Sequence, residues 1–481
     1  MKRTFKIVYA ALFFALLCLP MMLKPFFRND ANLEKRALAK LPSYVKDGRL
    51  NIDFSDQFES YASDHFPLRA QLLTASNTLK GEFLHAQSSN VIVGKDGWLF
   101  YNTEQADYLN TNALSDRQIR SIAVTLSLIE EDIENRGGHF TFVPVPNKSS
   151  VYGEMMPASF RRAPENNLTR LTEELNRSGV GFTDLLGVLT ESKDQTVYHR
   201  RDSHWNYRGA LIGWNAIMDS LGKEHKTYAD ADYTVEKTWR GDLDKLLLPA
   251  GGVLDEQVIY RIDHDDFVFT YPMGVRNHQA QLENFMSDRE DRDDLFTTQN
   301  TERSDGSRLY MVRDSFGRAL LPFMIDSYET ATFKRTDCPN VSSIEDGTDL
   351  IYEIAERNLH RIIQTAPFQY APVRKNISAK GLPVYGTVDG RCEVTGYGIR
   401  LYGALPDDLP LGDSRVYLLL GQNGETFAVE AFPIYEAKLL GGSGTYGYSA
   451  ILSADLGLSG TYSVTAIAEN YVFECGTFTA E

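Results

Sequence analysis

The sequence predicts an α/β protein whose main domain is a mostly parallel β-sheet flanked by helices. Between about residues 91 and 375, short apolar runs typical of buried strands alternate with stretches of helical periodicity. Beyond about residue 380 the helical periodicity ends, and short β-prone runs are separated by Gly-rich turns. That second pattern predicts a smaller antiparallel β-sandwich domain at 380–481.

The N-terminus predicts a membrane anchor. Three basic residues among the first six precede an apolar stretch from Ile7 to Leu23, which is roughly the minimum length of a bilayer-spanning helix. The positive flank predicts a cytoplasmic N-terminus and an exported remainder. A cleavable signal peptide is the alternative, but no clear A-x-A site follows the apolar core. We therefore expect an uncleaved signal-anchor at 1–27 and a single-pass protein of the cell membrane.

The remaining elements follow in order along the chain. Residues 28–90 predict a helical lead-in, because Phe54, Phe58 and Tyr61 recur at helical spacing. A hairpin is expected around Lys95. The polar, acidic stretch at about 228–306 predicts an insertion that is partly β and partly mobile. In the main domain we expect strands at 139–145, 308–312 and 349–353, and helices at 115–135, 166–176 and 355–360.

Composition narrows the function classes. The net charge of −16 and the pI of about 5.1 disfavour a broad grip on a polyphosphate backbone, so nucleic acid is not an expected partner. The four cysteines form no C-x-x-C motif, and no metal site is expected. Cys392 and Cys475 bracket the last β-rich segment, where either a disulfide or a pair of free thiols fits.

Asp202 and His204 form the first candidate catalytic segment. In an extended segment, residues two apart point the same way, so the two side chains can lie together. A carboxylate there can hold the imidazole through one ring nitrogen and leave the other free as a base. On its own, an Asp-x-His pair is more readily explained as a surface loop with a salt-bridged histidine.

Ser315 is the candidate nucleophile. It follows the strand predicted at 308–312 and precedes Phe316-Gly317, which predicts a serine on a strand-to-helix turn at the carboxyl edge of the sheet. Its backbone amide would be a natural oxyanion donor. An N-capping serine is the simpler reading of this motif alone.

These segments together resemble the SGNH-like polysaccharide O-acetyltransferases, the family typified by the alginate acetylation proteins and including the DHHW proteins of Gram-positive bacteria. The resemblance spans roughly residues 30–365, in the same order. Two positions depart from the family pattern: Arg313 stands where a glycine usually precedes Asp-Ser, and Ser203 stands where the Gram-positive namesake has His. The matching segments are 94–100 (GKDGWLF), 146–148 (PNK), 202–206 (DSHWN), 241–243 (GDL), 314–316 (DSF) and 353–359 (EIAERNL).

The resemblance implies an SGNH-hydrolase-like fold with an extracytoplasmic catalytic domain and no cofactor. Ser315 would be the nucleophile, His204 the general base and Asp202 the orienting carboxylate. The expected reaction is acetyl transfer to a polysaccharide acceptor, with a membrane-bound O-acyltransferase as the partner that supplies the acetyl group. Two alternatives stay open: a carbohydrate esterase or deacetylase with the same triad, and a non-catalytic glycan-binding scaffold.

Several further residues are candidates for substrate binding. Asn147 follows a strand end and is a possible oxyanion donor, although a plain turn explains it equally well. Trp205 could stack on a sugar ring, although core packing explains it better. The other candidates are neighbours that could face the site, stack on a sugar or hold an anionic substrate group: Lys148, Tyr207, Arg208 and Arg313.

Overall fold

The computed structural model of the protein describes residues 7–9, 13–15, 22, 38–46, 48–66, 68–84, 90–272, 274–276, 278–286, 294–441 and 446–480. Its helices are α1 (Phe54–Asp64), α2 (Arg69–Leu84), α3 (Glu104–Tyr108), α4 (Asp116–Asn135), α5 (Lys148–Val151), α6 (Asn167–Ser178), α7 (Leu185–Glu191), α8 (Tyr207–Ser220), α9 (Asp242–Leu247), α10 (His278–Met286), α11 (Leu321–Met324) and α12 (Ala437–Leu440).

The strands up to the end of the main domain are β1 (Val45–Lys46), β2 (Arg49–Leu50), β3 (Val91–Val93), β4 (Leu99–Tyr101), β5 (Phe140–Val145), β6 (Tyr233–Trp239), β7 (Asp255–Tyr260), β8 (Phe267–Tyr271), β9 (Gly274–Arg276), β10 (Leu295–Asn300), β11 (Arg308–Arg313), β12 (Thr330–Arg335) and β13 (Thr348–Ala355). The C-terminal strands are β14 (Val373–Arg374), β15 (Val384–Thr387), β16 (Gly390–Thr395), β17 (Gly398–Ala404), β18 (Val416–Gln422), β19 (Glu425–Ile434), β20 (Gly447–Leu452), β21 (Gly460–Ala468) and β22 (Tyr471–Ala480).

The main domain is built on a seven-stranded sheet in the order β5-β13-β11-β12-β10-β8-β9. The first four strands run parallel, which confirms the predicted α/β sheet. The other three strands pair antiparallel and extend one edge. They come from the segment predicted as an insertion at about 228–306, whose described part also contains the pair β6–β7 and the helices α9 and α10. The centre of its charged run, 287–293, lies outside the described residues.

Helices cover both faces of this sheet. On β13, Ile351 faces one apolar core while Leu350 and Tyr352 face the other, as the alternation of a strand buried on both sides requires. The first core includes α7 and α8, and the second is closed by α4 and α6. Both helices of the second core begin at a capping box, formed by Ser115 and Asn166 respectively. The two layers fix the sheet's carboxyl edge between them.

The C-terminal region is rich in β-structure, as predicted, but its strands do not form two separate sheets. Among the described residues they form one nine-stranded sheet, mostly antiparallel, with β15 and β22 running parallel. The sheet is continuous because β19 pairs with β18 through its first part and with β20 through its last residues. Cys392 and Cys475 lie on β16 and β22 as free thiols.

The two domains pack against each other through α4. Val124 and Leu128 on this helix share an apolar cluster with Phe432 and Ile434 of β19. Nearby, Arg374 binds the carboxylates of both Glu131 and Glu430. The β-rich domain therefore packs against the helix layer of the main domain, and its Tyr435 amide also donates to the Ile363 carbonyl at 2.7 Å.

The predicted signal-anchor at 1–27 falls almost wholly outside the described residues, which include only 7–9, 13–15 and 22 of it. In the described part of the chain, no helix combines the length and apolarity needed to cross a membrane. The lead-in contains α1 and α2, and α1 begins at Phe54 as the helical spacing predicts.

Candidate active site

Ser315 lies on a tight turn directly after β11, at the carboxyl edge of the sheet. The turn is fastened by Asp314, whose Oδ1 accepts a hydrogen bond from the Phe316 amide at 2.8 Å and whose Oδ2 accepts one from the Ala355 amide at 3.0 Å. A 3₁₀ helix starts at Phe316. No hydrogen bond joins the Ser315 amide to a described residue. The nucleophile candidate is thus held from both sides with its own N–H available.

The structure brings Ser315, His204 and Asp202 together. Nε2 of His204 lies 2.8 Å from the Ser315 hydroxyl oxygen, and Nδ1 lies 2.7 Å from Oδ1 of Asp202. The histidine therefore connects the carboxylate to the hydroxyl through its two ring nitrogens, although Ser315 is 111 positions further along the chain. This is the geometry of a Ser-His-Asp triad.

The backbone that carries Asp202 and His204 is not the extended segment that the sequence predicts. Tyr198 and Trp205 form an isolated bridge, and the residues between them make a chain of bends. The Asp202 carboxylate closes the loop because its Oδ1 also accepts the His204 backbone N–H at 3.0 Å. This local hydrogen bond, typical of Asp in turns, brings the two side chains together without a shared strand face.

Trp239 and Asp242 complete the surroundings of Asp202. Its Oδ2 accepts hydrogen bonds from Trp239 Nε1 at 3.1 Å and from the Asp242 backbone N–H at 2.8 Å. The Asp242 carboxylate accepts bonds from both the amide and the hydroxyl of Ser203. Neither residue was a site candidate from sequence, although Asp242 belongs to the GDL segment that carries part of the resemblance. That segment was the available signal.

The pKa of His204 is set by opposing effects. Burial lowers it, but the hydrogen bond to Asp202 and the charges of Asp202 and Asp242 outweigh burial, so the pKa lies above the ordinary value of histidine. His199, 4.9 Å from the Trp239 ring in a parallel stack, shows the opposite shift because burial lowers its pKa. The two histidines therefore favour different charge states, and only His204 contacts Ser315.

Asp202, His204 and Asp242 also offer potential metal-ligand atoms within 4.8 Å of one another. Hydrogen-bond donors already occupy these atoms: the imidazole, the Trp239 indole and the Asp242 amide on Asp202, and Ser203 on Asp242. The donor pattern fits a carboxylate that orients an imidazole, and no metal is needed to account for it.

A cavity of about 270 Å³ opens onto Ser315 and His204. Two predicted substrate-binding residues line it. Trp205 is almost wholly buried and donates its indole N–H to the Phe316 carbonyl at 3.0 Å, so it packs beneath the turn. Tyr207, at the start of α8, is also largely buried. The wall also includes side chains that sequence did not single out: Trp239, Phe285, Phe316, Arg318 and Arg335.

Asn147 and Lys148 lie behind the site and do not line the cavity. The Asn147 side-chain amide donates to Asp107 at 3.0 Å, so it does not serve as the predicted oxyanion donor. The Lys148 ammonium is fully buried and donates to the backbone carbonyls of His199, Arg200 and Asp202 at 3.1, 3.2 and 2.6 Å. It supports the loop of the triad and does not reach a ligand in the cavity.

The two arginine candidates are also outside the cavity wall. Arg208 donates to the Gln195 carbonyl and lies over the Tyr233 ring. Arg313 is buried, donates to the Asp314 carbonyl at 3.0 Å and lies over the Phe296 ring. Arg313 therefore packs beneath the turn and does not make the predicted contact with an anionic substrate group.

Comparison with known proteins confirms the resemblance stated from the sequence. Residues 91–302 match the family described as "SGNH hydrolase-like domain, acetyltransferase AlgX". The match includes Asp202 and His204 and ends before Ser315.

Two similar relatives are both named "Probable alginate O-acetylase AlgJ". The Pseudomonas aeruginosa protein is 26% identical over 214 residues, which covers 43% of this chain and 53% of the relative. The Pseudomonas syringae pv. tomato protein is 22% identical over 262 residues, which covers 51% of this chain and 61% of the relative. The chain thus matches little more than half the length of each.

Among solved structures, Bacillus cereus PatB1 with a sulfonyl adduct aligns with a TM-score of 0.46 at 16% identity, covering 57% of this chain and 97% of that one. A DHHW family protein from Eubacterium siraeum aligns with a TM-score of 0.44 at 16% identity, covering 57% and 93%.

Proposed function

We propose that the protein is an SGNH-type serine O-acetyltransferase that moves an acetyl group onto a hydroxyl of a cell-surface or exported polysaccharide through an acetyl-Ser315 intermediate. The observation that carries the proposal is the continuous hydrogen-bonded path from Asp202 through His204 to the Ser315 hydroxyl. The alginate O-acetylase names of the relatives support acetyl transfer to a polysaccharide.

In the first half-reaction, the Ser315 oxygen attacks the carbonyl carbon of the acetyl donor while His204 Nε2 takes the hydroxyl proton. The bond from the acetyl carbon to the donor's leaving oxygen breaks, and the imidazolium returns the proton to that oxygen. The Ser315 amide, which has no hydrogen-bond partner among the described residues, can donate to the oxyanion that forms. Asp202 stabilises the imidazolium through its 2.7 Å contact.

In the second half-reaction, a sugar hydroxyl takes the place of the leaving group. His204 removes its proton, the sugar oxygen attacks the acetyl carbon, and the Ser315 oxygen leaves with the proton returned by the imidazolium. The cavity of about 270 Å³ beside Ser315 gives both the donor and the acceptor access from the same side.

The setting of the reaction is part of the proposal. The basic and apolar N-terminal sequence supports a signal-anchor that holds the catalytic domain outside the cytoplasm. In that setting a membrane-bound O-acyltransferase would supply the acetyl group, and the polysaccharide would be the acceptor.

The test uses the full-length protein with p-nitrophenyl acetate as the donor and an unacetylated oligosaccharide as the acceptor. We expect mass spectrometry to find acetate on Ser315 and on the sugar, and both to vanish in Ser315→Ala. Ser459→Ala, in an exposed turn of the β-rich domain, is the matched control and should behave as the wild type. Acetylated sugar formed at the normal rate by Ser315→Ala contradicts the proposal. Release of free acetate without sugar acetylation under every condition makes the protein an esterase.

A further inference from the structure

We propose that Glu353 is a positioning residue for the nucleophile, holding the Asp314–Phe316 turn against the end of β13. The inference rests on the proposed function, because it assigns a role in making Ser315 reactive. Glu353 lies two residues before the end of β13, next to the strand that leads into Ser315. It is 1% exposed and does not line the cavity, so it acts on Ser315 through the backbone.

The contacts between Glu353 and the turn are reciprocal. Oε2 of Glu353 accepts a hydrogen bond from the Asp314 backbone N–H at 2.9 Å. In the other direction, the Asp314 carboxylate accepts the Ala355 N–H at the end of β13. The ends of β11 and β13 thus each contribute a carboxyl group that accepts a hydrogen bond from a backbone N–H of the other. Ser315 follows directly on this double connection, which determines where its hydroxyl lies relative to His204.

Packing adds to the hydrogen bonds. A Cβ atom placed on Gly317 would lie 2.9 Å from Oε2 of Glu353 and 2.8 Å from the Cβ of Arg313. The Glu353 carboxyl therefore fills the space directly beneath the turn. Removing it leaves the Asp314 amide without an acceptor in a region shielded from water, and a buried amide without a partner favours a shifted backbone.

The surroundings of Glu353 favour the protonated form of its carboxyl group. Burial raises the pKa of Glu353 well above the ordinary value of a glutamate, and the neighbouring Asp314 carboxylate raises it further. Two adjacent buried carboxyl groups cannot both ionise without a large repulsion. As a neutral acid, Glu353 can accept from the Asp314 amide and also donate to the Asp314 carboxylate. A glutamine at this position would offer the same acceptor and donor.

The experiment measures the reactivity of Ser315 in the full-length protein with phenylmethanesulfonyl fluoride. In that reaction the Ser315 oxygen bonds to sulfur, fluoride leaves, and His204 takes the proton. We expect Glu353→Gln to react within about threefold of the wild type. Glu353→Met, which keeps the volume and loses the acceptor, should react about 100-fold more slowly, the effect expected of a displacement near 1 Å. Thermal unfolding of each variant reports whether the fold persists, and Glu353→Ala is used if the Met variant fails to fold.

Infrared difference spectra give a readout independent of activity. The wild type minus Glu353→Gln should show the carbonyl band of a protonated carboxyl group, and its absence overturns the neutral state. A folded Glu353→Met protein that reacts at the wild-type rate overturns the positioning role, and so does a Gln variant as slow as the Met variant. A wild type in which Ser315 never reacts contradicts the proposed function instead.

Discussion

Replacing Lys148 by Met tests whether the loop that carries Asp202 depends on a buried ammonium. The Lys148 side chain is 0% exposed, and its three donors reach three carbonyls of residues 199–202. The ammonium also lies over the rings of Trp98 and Phe100, 5.8 and 5.3 Å from their centroids. Methionine keeps an apolar side chain of similar length and removes the charge and the donors. The change therefore tests the ammonium as a whole, through its hydrogen bonds to the loop and its contacts with the rings.

The expected loss of stability follows from the contacts. A hydrogen bond from a charged donor contributes about 1.5–3 kcal/mol, and three such bonds are offset in part because the variant no longer buries an ammonium. Glu104, also 0% exposed, is the carboxyl group whose charge favours the Lys148 ammonium most, and the charge of Arg357 still acts on Glu104 in the variant. We therefore expect a net loss of about 4 kcal/mol from the three bonds after this offset. We expect unfolding of the main domain to shift by roughly 8–16 °C.

The expected loss of activity is separate from the loss of stability. Without the ammonium, the carbonyls of residues 199–202 lose their donor, and Asp202 moves relative to Ser315. A displacement near 1 Å lowers the acylation rate by about 100-fold. The assay is sulfonylation of Ser315 below the melting temperature of the variant. The double variant Lys148→Met with Glu104→Gln also removes the buried carboxyl charge that favours the ammonium, so it should regain part of the stability and stay slow. Recovery of both properties, or a single variant with the wild-type rate, refutes the reasoning.

The same lysine gives activity and stability opposite trends with pH. Burial lowers the pKa of Lys148 to about 8, although the charges of Glu104 and Asp202 partly offset that effect. Above this pH the amine has two donors for three carbonyls, so activity should fall as pH rises through about 8. Between pH 8 and the ordinary lysine value, the unfolded chain binds more protons than the folded one, so this group's contribution to stability improves with pH. A pH profile of Ser315 sulfonylation beside a profile of the unfolding midpoint checks both signs; parallel trends contradict the assignment to Lys148.

Two further predictions concern the surroundings of Asp202. Asp242→Asn keeps the backbone donor to Asp202 and removes a negative charge that raises the pKa of His204. The acid limb of the pH–rate profile should therefore move to lower pH. An unchanged limb shows that the Asp242 charge does not influence the His204 pKa. Trp239→Phe removes the indole donor to Asp202 while keeping a ring for the stack on His199, and kcat should fall roughly tenfold or more. An unchanged kcat shows that the indole bond is dispensable.

The main elements of the fold could be predicted because their signals are local. The helix expected at 115–135 is α4 (Asp116–Asn135), since Ser115 supplies the cap and the apolar positions recur every three or four residues. The strands β11 and β13 beside Ser315 could be predicted equally well, because burial on both faces gives them continuous apolar runs. The arrangement of the C-terminal strands could not be predicted in the same way. Short β-prone runs do not reveal that β19 pairs with a different neighbour at each end, which joins the strands into one sheet.

The candidate site divides in the same way. The sequence could predict the three triad candidates because each lies in a short motif: Ser315, His204 and Asp202. The backbone of the Asp202 loop nevertheless differs from the predicted strand. Trp239 contacts Asp202 from 37 residues away in a hairpin that reads as a polar insertion. The sequence predicts Lys148 as a ligand contact, because it shows which residue follows a strand but not whether the side chain turns toward the cavity or away from it.

The loop with Asp202 and His204 and the turn with Ser315 are both bound by residues at the ends of neighbouring strands. Lys148 follows β5, Glu353 lies near the end of β13, and these strands are neighbours in the parallel part of the sheet. One binds the carbonyls of the loop that carries Asp202 and His204, and the other binds the amide next to Ser315. Backbone groups shielded from water need hydrogen-bond partners. An ammonium group donates to carbonyl oxygens, and a carboxyl group accepts from an N–H, so each residue matches the backbone groups it contacts. The 2.8 Å contact between His204 and Ser315 joins the two parts of the chain that Lys148 and Glu353 bind. We therefore expect the Lys148→Met and Glu353→Met effects on the acylation rate to be less than additive, since either change alone already separates the hydroxyl from the imidazole.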